Sequence, residues 1–321
     1  MKKLCVTLTA LILIAGTACN FSNRKPKAGA GGLSGNISIS GAFALYPITV
    51  KWAEEFQKLY PDVQIDISAG GAGKGMADAL SGMVDLGMFS REVSPEEVKK
   101  GAWYIALTKD AVLPTVNAAN PLLPEMKHTG VTREKLMDLY VSGKVHTWGE
   151  LLDIPSSQEI MVLTRSDACG AAAMWAAYLG VNQEDLLGLG IFGDPGVADA
   201  IRSEPYSIGY NNMAYVYDIR TRNKYKNLDV LPLDLDGSGD ISEDEDFYQC
   251  LDSLVSAIKT GVYPSPPARE LYFVSRGKPG REVVTRFISW ILTDGQIYLA
   301  EAGYVSLSQE KIEKELAKLA D

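Results

Sequence analysis

The chain has 321 residues, 46% of them hydrophobic and 22% charged, with a formal net charge of −9. That length exceeds one ordinary core and suits two, and the composition is that of a soluble globular protein rather than a disordered or fibrous one. The acidic balance excludes nucleic acid as a partner, since its recognition needs a basic face; any bound anion is held by local groups against an unfavourable overall field.

Lys2 and Lys3 precede an apolar run from Leu4 to Ala15 and the small residues Gly16, Thr17 and Ala18. This pattern predicts a secretory signal over residues 1–18, too short to span a bilayer. Cys19 follows directly. Small residues before a Cys resemble a lipobox, so Cys19 is the expected lipidation site, although Gly16 stands where the usual Leu would be. The expected location is the periplasm or cell envelope, with a lipid anchor in a membrane. Loss of the signal removes two of the 31 basic residues and takes the net charge from −9 to −11. Cys5 leaves with it, and Cys169 and Cys250 are expected as free thiols. Residues 20–35, rich in Ser, Asn, Lys, Gly and Ala, read as a flexible tether.

Regular structure is expected from Ile37, where Ile37 and Ile39 alternate as on a strand. Pro47 suits the first turn of a helix, and Trp52, Phe56 and Leu59 fall on one helical face. Val63, Ile65 and Ile67 predict a second strand; a glycine cluster, a helix and a short strand around Val84–Met88 follow. Strands alternating with helices imply a mainly parallel sheet covered by helices. The middle repeats this grammar: a strand at Glu159–Arg165, helices at Ala171–Leu179 and Val197–Ile201, and a strand at Ser207–Tyr210. Near the end, Val284, Phe287, Ile288 and Ile291 form a helical stripe.

Three segments share one design, a strand followed by a loop of small residues and a helix start. They are Ser40–Pro47, Gly70–Gly75 and Arg165–Ala171. The first N–H groups of a helix lack internal partners and carry partial positive charge, so several such ends converging make an anion site without a basic surface. The Gly70–Gly75 loop is not a nucleotide P-loop, because Ser68 replaces its first Gly and Gly75 follows Lys74.

Four ordered stretches resemble the substrate-binding proteins of phosphate ABC transporters, within the type II periplasmic binding proteins. They are Gly41–Trp52; Gly70–Glu92 with its Val84-Asp85-x-Gly87 run; Leu139–Leu151 with Arg165–Trp175; and Ile208–Tyr215 with Arg269–Leu307. The resemblance implies an α/β fold of two lobes, each a mainly parallel sheet flanked by helices, joined by two crossover strands. Lobe 1 is expected at 36–107 plus 268–321 and lobe 2 at 108–267. It also implies an oxyanion ligand, phosphate foremost, an ABC-type permease as partner, and a monomer. Another oxyanion, a small anionic organic ligand, or a fold reused as a sensor or interaction protein are the alternatives. Site positions carried over are Leu45, Tyr46, Ala72, Gly73, Ser90, Arg165, Cys169, Gly170 and Ala171. The family's Thr-Phe pair falls on Leu45 and Tyr46, its other hydroxyl residues fall on Ala72, Cys169 and Ala171, and its acidic residue falls on Ser90, so mainly backbone donors and Arg165 remain. Arg91, Ser40 and Ser166 are further candidates for ligand contact.

Residues 234–245 carry the spacing of a calcium-binding EF-hand loop: Asp234, Asp236 and Ser238 at positions one, three and five, Gly239 at six, Asp240 at seven, Ser242 at nine and Glu245 at twelve. A structural Ca2+ is expected there, with a helix after it from Phe247 to Ile258. This reading comes from the residues alone. Catalysis is not expected. His128 and His146 lie in no triad or metal spacing, and Cys169 has no His near it in sequence.

Overall fold

The computed structural model describes residues 32–320; the predicted signal, Cys19 and tether residues 20–31 lie outside the described residues. The strands are β1 (Gly35–Gly41), β2 (Val63–Ala69), β3 (Leu86–Phe89), β4 (Ala102–Asn117), β5 (Met161–Arg165), β6 (Leu189–Ile191), β7 (Ser207–Asn212), β8 (Leu228–Val230) and β9 (Ala268–Arg276). They lie in the order β2-β1-β3-β9-β4-β7-β5-β6, with β8 against β4. β1 is parallel to β2 and β3, and β5 is parallel to β6 and β7. Between these parallel wings run β4 and β9, antiparallel to each other and to the strands beside them. The result is the expected α/β fold, with its sheet mixed at the centre.

β4 explains how one chain builds two cores. Its 16 residues extend about 50 Å at roughly 3.3 Å per residue. The first part pairs with β9 from Ala102↔Arg276 to Ala111↔Ala268; the second pairs with β7 and β8. One buried cluster gathers Ile37, Ile39, Trp52, Phe56, Phe89, Ile105, Phe273 and Phe287. Another gathers Val112, Leu113, Trp148, Trp175, Tyr210, Tyr248 and Leu254. The chain passes between them at Leu107–Ala111 and again at Ala268–Leu271. Val305 departs from this division: it bridges Lys109 and packs into the second cluster.

Each core follows from side-chain period. The Glu282–Leu292 helix buries Val284, Phe287, Ile288 and Ile291, as the stripe predicts. The Tyr46–Leu59 helix buries Ile48, Trp52 and Phe56, but Leu59 is exposed because the helix ends there and the chain turns away. The helix expected from Phe247 begins instead at Leu251. Phe247 and Tyr248 are drawn out of helical register by packing against Tyr263, and Tyr217 Oη donates to the Tyr248 carbonyl at 2.9 Å. Among the described residues no helix is long and apolar enough to cross a membrane.

Candidate functional site

The three small-residue loops meet where the two cores face each other. β1 ends at Gly41, whose φ is +131° and where a Cβ would stand 2.3 Å from the Met88 carbonyl and 2.8 Å from Gly75 Cα. Only glycine permits that crossing. The Gly41 carbonyl accepts N–H groups of Gly70 and Gly71 at 2.9 and 3.1 Å, which ties the first loop to the second. The second loop reaches the third through Gly73, whose N–H donates to the Ala168 carbonyl at 3.0 Å. Ser90, at the end of β3, packs on Gly170, where a Cβ would lie 2.2 Å from both the Ser90 carbonyl and Oγ.

This packing leaves backbone donors without partners. Leu45 and Tyr46 use their N–H groups in the turn, donating to Ala42 and Phe43 carbonyls at 3.2 Å, and the Leu45 side chain is buried in the first core. Gly73 is likewise engaged. By contrast, the N–H groups of Phe43, Ala44, Ala72, Gly170 and Ala171 donate to no described residue. Ala44, Ala72, Gly170 and Ala171 belong to first turns or to the loops before them, where the helix dipole is positive.

Arg165, carried over as a ligand position, is engaged by two carboxylates. Its Nε and Nη2 donate to Asp167 at 2.8 and 2.7 Å, and its Nη1 donates to Asp194 at 2.6 Å. The side chain has no exposed surface. Burial opposes its charge, but the Asp194 and Asp167 carboxylates outweigh that and hold the guanidinium above its ordinary value. The Phe43 ring lies 5.8 Å from the guanidinium. Asp194 Oδ1 accepts both the N–H and Nδ2 of Asn212, at 3.0 and 2.8 Å.

A second buried pair adjoins this one. Arg269 on β9 donates to Asp110 on β4 at 2.9 and 3.3 Å, to Asn212 Oδ1, and to the Gly170 carbonyl at 2.7 Å. Burial raises the Asp110 carboxyl to about 6 despite the Arg269 charge. Asp194, Asn212, Arg269 and Asp110 were not legible as a network in the sequence; the signal was a charged pair flanking apolar strand residues at Asp110 and at Arg269. Cys169 caps the Gly170–Leu179 helix, its Sγ accepting from Ala172 N–H at 3.4 Å, and burial pushes the thiol up to about 12. It is therefore a protonated cap and no thiolate nucleophile. Cys250 is also free.

Of the supplementary candidates, two are engaged by carboxylates and one is exposed. Arg91 donates to Glu97 at 2.7 and 3.0 Å and stacks on Phe89. Ser40 donates to Asp78 at 2.6 Å, and Ser166 is exposed. A cavity of about 820 Å³ lies beside Lys109, Tyr104 and Tyr263.

The acidic loop is wrapped on itself. Asp234 accepts N–H groups of Gly237 and Gly239 at 2.8 and 3.0 Å; Glu245 accepts those of Leu235 and Ser242 at 2.7 and 3.1 Å. One carboxylate oxygen each from Asp234, Asp236 and Glu245 lies within 4.8 Å of the others. Gly237 and Gly239 have φ of +73° and +85°, the turns that bring the acids round. Ser238 Oγ is turned toward the Asp240 carbonyl at 2.9 Å, while the Asp240 side chain faces His128 at 3.3 Å. Ser242 Oγ donates to Glu245 at 2.8 Å. The all-oxygen donor set fits a hard divalent cation.

Residues 26–295 match the PBP superfamily domain. The chain belongs to that superfamily of solute-binding proteins. The phosphate-binding protein PstS of Methanocaldococcus jannaschii is 27% identical over 337 residues, covering 85% of this chain and 83% of that protein. Its namesake in Bacillus subtilis is 28% identical, covering 68% and 72%. In three dimensions the chain is similar to a putative phosphate ABC transporter substrate-binding protein with bound phosphate from Clostridium perfringens. The TM-score is 0.70 at 22% identity, over 85% of this chain and 100% of that one. A phosphate transport receptor from Vibrio cholerae gives 0.61 at 19%, over 84% and 100%. These likenesses establish the shared two-winged α/β fold.

Proposed function

We propose that this protein captures an inorganic oxyanion, phosphate foremost, between its two cores and delivers it to an ABC-type permease, without catalysing a reaction. The observation that carries the reading is the set of N–H groups at Ala44, Ala72, Gly170 and Ala171 that donate to no described residue, on three loops from both halves of the molecule that touch through Gly41, Gly70, Gly73 and Ala168. Charge-assisted hydrogen bonds contribute about 1.5–3 kcal/mol each, so four amount to roughly 6–12 kcal/mol. Micromolar binding needs about 8 kcal/mol, so backbone donors suffice without the missing side-chain hydroxyls if the loops are preorganised. The buried Arg165, neutralised by Asp167 and Asp194, shapes the third loop rather than supplying a free charge. That relatives are named phosphate-binding proteins supports phosphate as the ligand here. Calorimetry of the purified protein with phosphate, sulfate and molybdate tests this: absence of heat with all of them refutes it.

The same proposal places the lobes at 36–107 plus 268–321 and at 108–267, and holds a monomer in the cell envelope through a lipid on Cys19. The intact mass of the purified protein, compared with Cys19→Ala, checks the anchor; a difference of no more than the substituted sulfur refutes it. It further includes a structural Ca2+ in the 234–245 loop, held by Asp234, Asp236, Ser238, the Asp240 carbonyl, Ser242 and Glu245. The carboxylates there are already gathered, and an ion would relieve their mutual repulsion. Native mass before and after chelation, with Glu245→Gln as control, reads this directly. An unchanged mass and melting temperature refute the ion.

A further inference from the structure

The oxyanion reading leaves open whether the site senses a proton on its ligand. That depends on which groups at the three loops can accept a hydrogen bond. The carboxylates packed around them are all engaged. Asp167 receives Arg165 twice and the Gly193 N–H at 3.1 Å. Asp194 receives Arg165 and Asn212. Asp78 receives Ser40 at 2.6 Å and Lys74. Asp110 is bound to Arg269. The Gly41 carbonyl already accepts two N–H groups, and the Gly170 carbonyl accepts Arg269.

What is left is a set of donors and, packed against Gly170, the hydroxyl of Ser90. Ser90 is 2% exposed, and its Oγ forms no hydrogen bond with a described residue. It stands against Gly170, the first residue of the Gly170–Leu179 helix, beside the unpartnered N–H groups of Gly170 and Ala171. The hydroxyl is not among the fully enclosed side-chain atoms that lack a partner, so it reaches solvent and is available to a ligand. Unlike a carboxylate, a hydroxyl rotates to donate to any ligand oxygen and carries no charge that repels a fully deprotonated one.

We propose that Ser90, in a site whose carboxylates are engaged elsewhere, leaves nothing that selects for a protonated ligand, so that the site takes tetrahedral oxyanions as a class and sulfate competes with phosphate. The inference rests on the oxyanion reading above. An acceptor carboxylate rewards a ligand that still carries a proton and rejects one that does not; a ring of donors favours the ligand with the most acceptor oxygens and the most negative charge. Sulfate and hydrogen phosphate then differ little. Phosphate affinity falls as pH drops through its second ionisation, while sulfate affinity stays level.

Calorimetric titration of the wild-type protein with sodium phosphate and sodium sulfate, at several pH values, decides this. The expected result is sulfate binding within about tenfold of phosphate at neutral pH, and closer at lower pH. Phosphate binding with sulfate at least a hundredfold weaker overturns the inference and leaves the oxyanion reading intact. Binding of neither overturns both. Ser90→Asp supplies the missing acceptor and is expected to weaken sulfate at least tenfold more than phosphate. Because Asp crowds Gly170, Ser90→Ala is the companion: it is expected to weaken both anions by a similar factor and leave their ratio unchanged. A ratio that moves with Ser90→Ala toward either anion refutes the role assigned to the hydroxyl.

Discussion

Gly170 separates closure of the molecule from its stability. A methyl group there would stand 2.2 Å from the Ser90 carbonyl and Oγ and 2.5 Å from the Ser90 carbonyl carbon. No rotamer change relieves a clash with backbone, and overpacking of this kind costs about 1–3 kcal/mol. Ser90 and Gly170 belong to different cores, however, so a small separation of the two halves removes the clash without disturbing either. Gly170→Ala is therefore expected to leave the melting temperature of the ligand-free protein within about 2 °C of wild type. The penalty falls on ligand binding, which needs the halves together, and weakens it by roughly 5–150-fold, the same 1–3 kcal/mol expressed as affinity. Gly87→Ala is the internal control. Its Cβ would lie 2.2 Å from the Gly75 carbonyl, within the first core, where nothing can move apart. It is expected to lower the melting temperature by roughly 2–10 °C. Differential scanning calorimetry and phosphate titration of both variants read the two effects. A Gly170→Ala protein that melts as low as Gly87→Ala and binds phosphate as tightly as wild type would refute the argument that this contact is a separable interface.

Phe43 packs edge-on against Phe192 and Tyr215 at 6.1 and 6.5 Å, both in the other half of the molecule. Phe43→Ala removes two aromatic contacts worth about 0.5–1.5 kcal/mol each, so stopped-flow ligand dissociation is expected to quicken by about 5–150-fold; an unchanged rate refutes a role in closure. Glu315, 2% exposed, accepts the Ala106 N–H at 3.0 Å beside the β4 irregularity and pairs with Lys318 at 2.7 Å. Glu315→Ala is expected to lose about 1–3 kcal/mol, chiefly the orphaned N–H because the lysine is a third exposed, and an unshifted urea midpoint would contradict this. Asp110, raised from 3.8 to about 6 by burial, binds its proton more tightly folded than unfolded. Its stabilising contribution is complete below about 3.8 and is lost as pH rises through about 6. Relative to Asp110→Asn, the wild type is thus expected to lose on the order of 3 kcal/mol between pH 4 and pH 7; unfolding titrations showing a gain instead would refute the assignment.

What the sequence by itself determined is local. Period-two and period-3.6 patterns located β1, β2 and the Glu282–Leu292 helix, because burial of one face acts over a few residues. The glycines at 41, 70–75 and 170 marked strand-to-helix turns, and the spacing from Asp234 to Glu245 marked a loop whose carboxylates do converge. The helix expected at Phe247 failed because rings at Phe247, Tyr248 and Tyr263 pack across the chain, which no local pattern encodes. Tertiary structure alone decided the electrostatics of the site. Arg165 and Asp194 are 29 residues apart, Arg269 and Asn212 57, and Arg269 and Asp110 159. A buried charge requires a partner but does not specify where in the chain that partner lies. Only the folded chain therefore showed that Arg165 is already paired with Asp167 and Asp194.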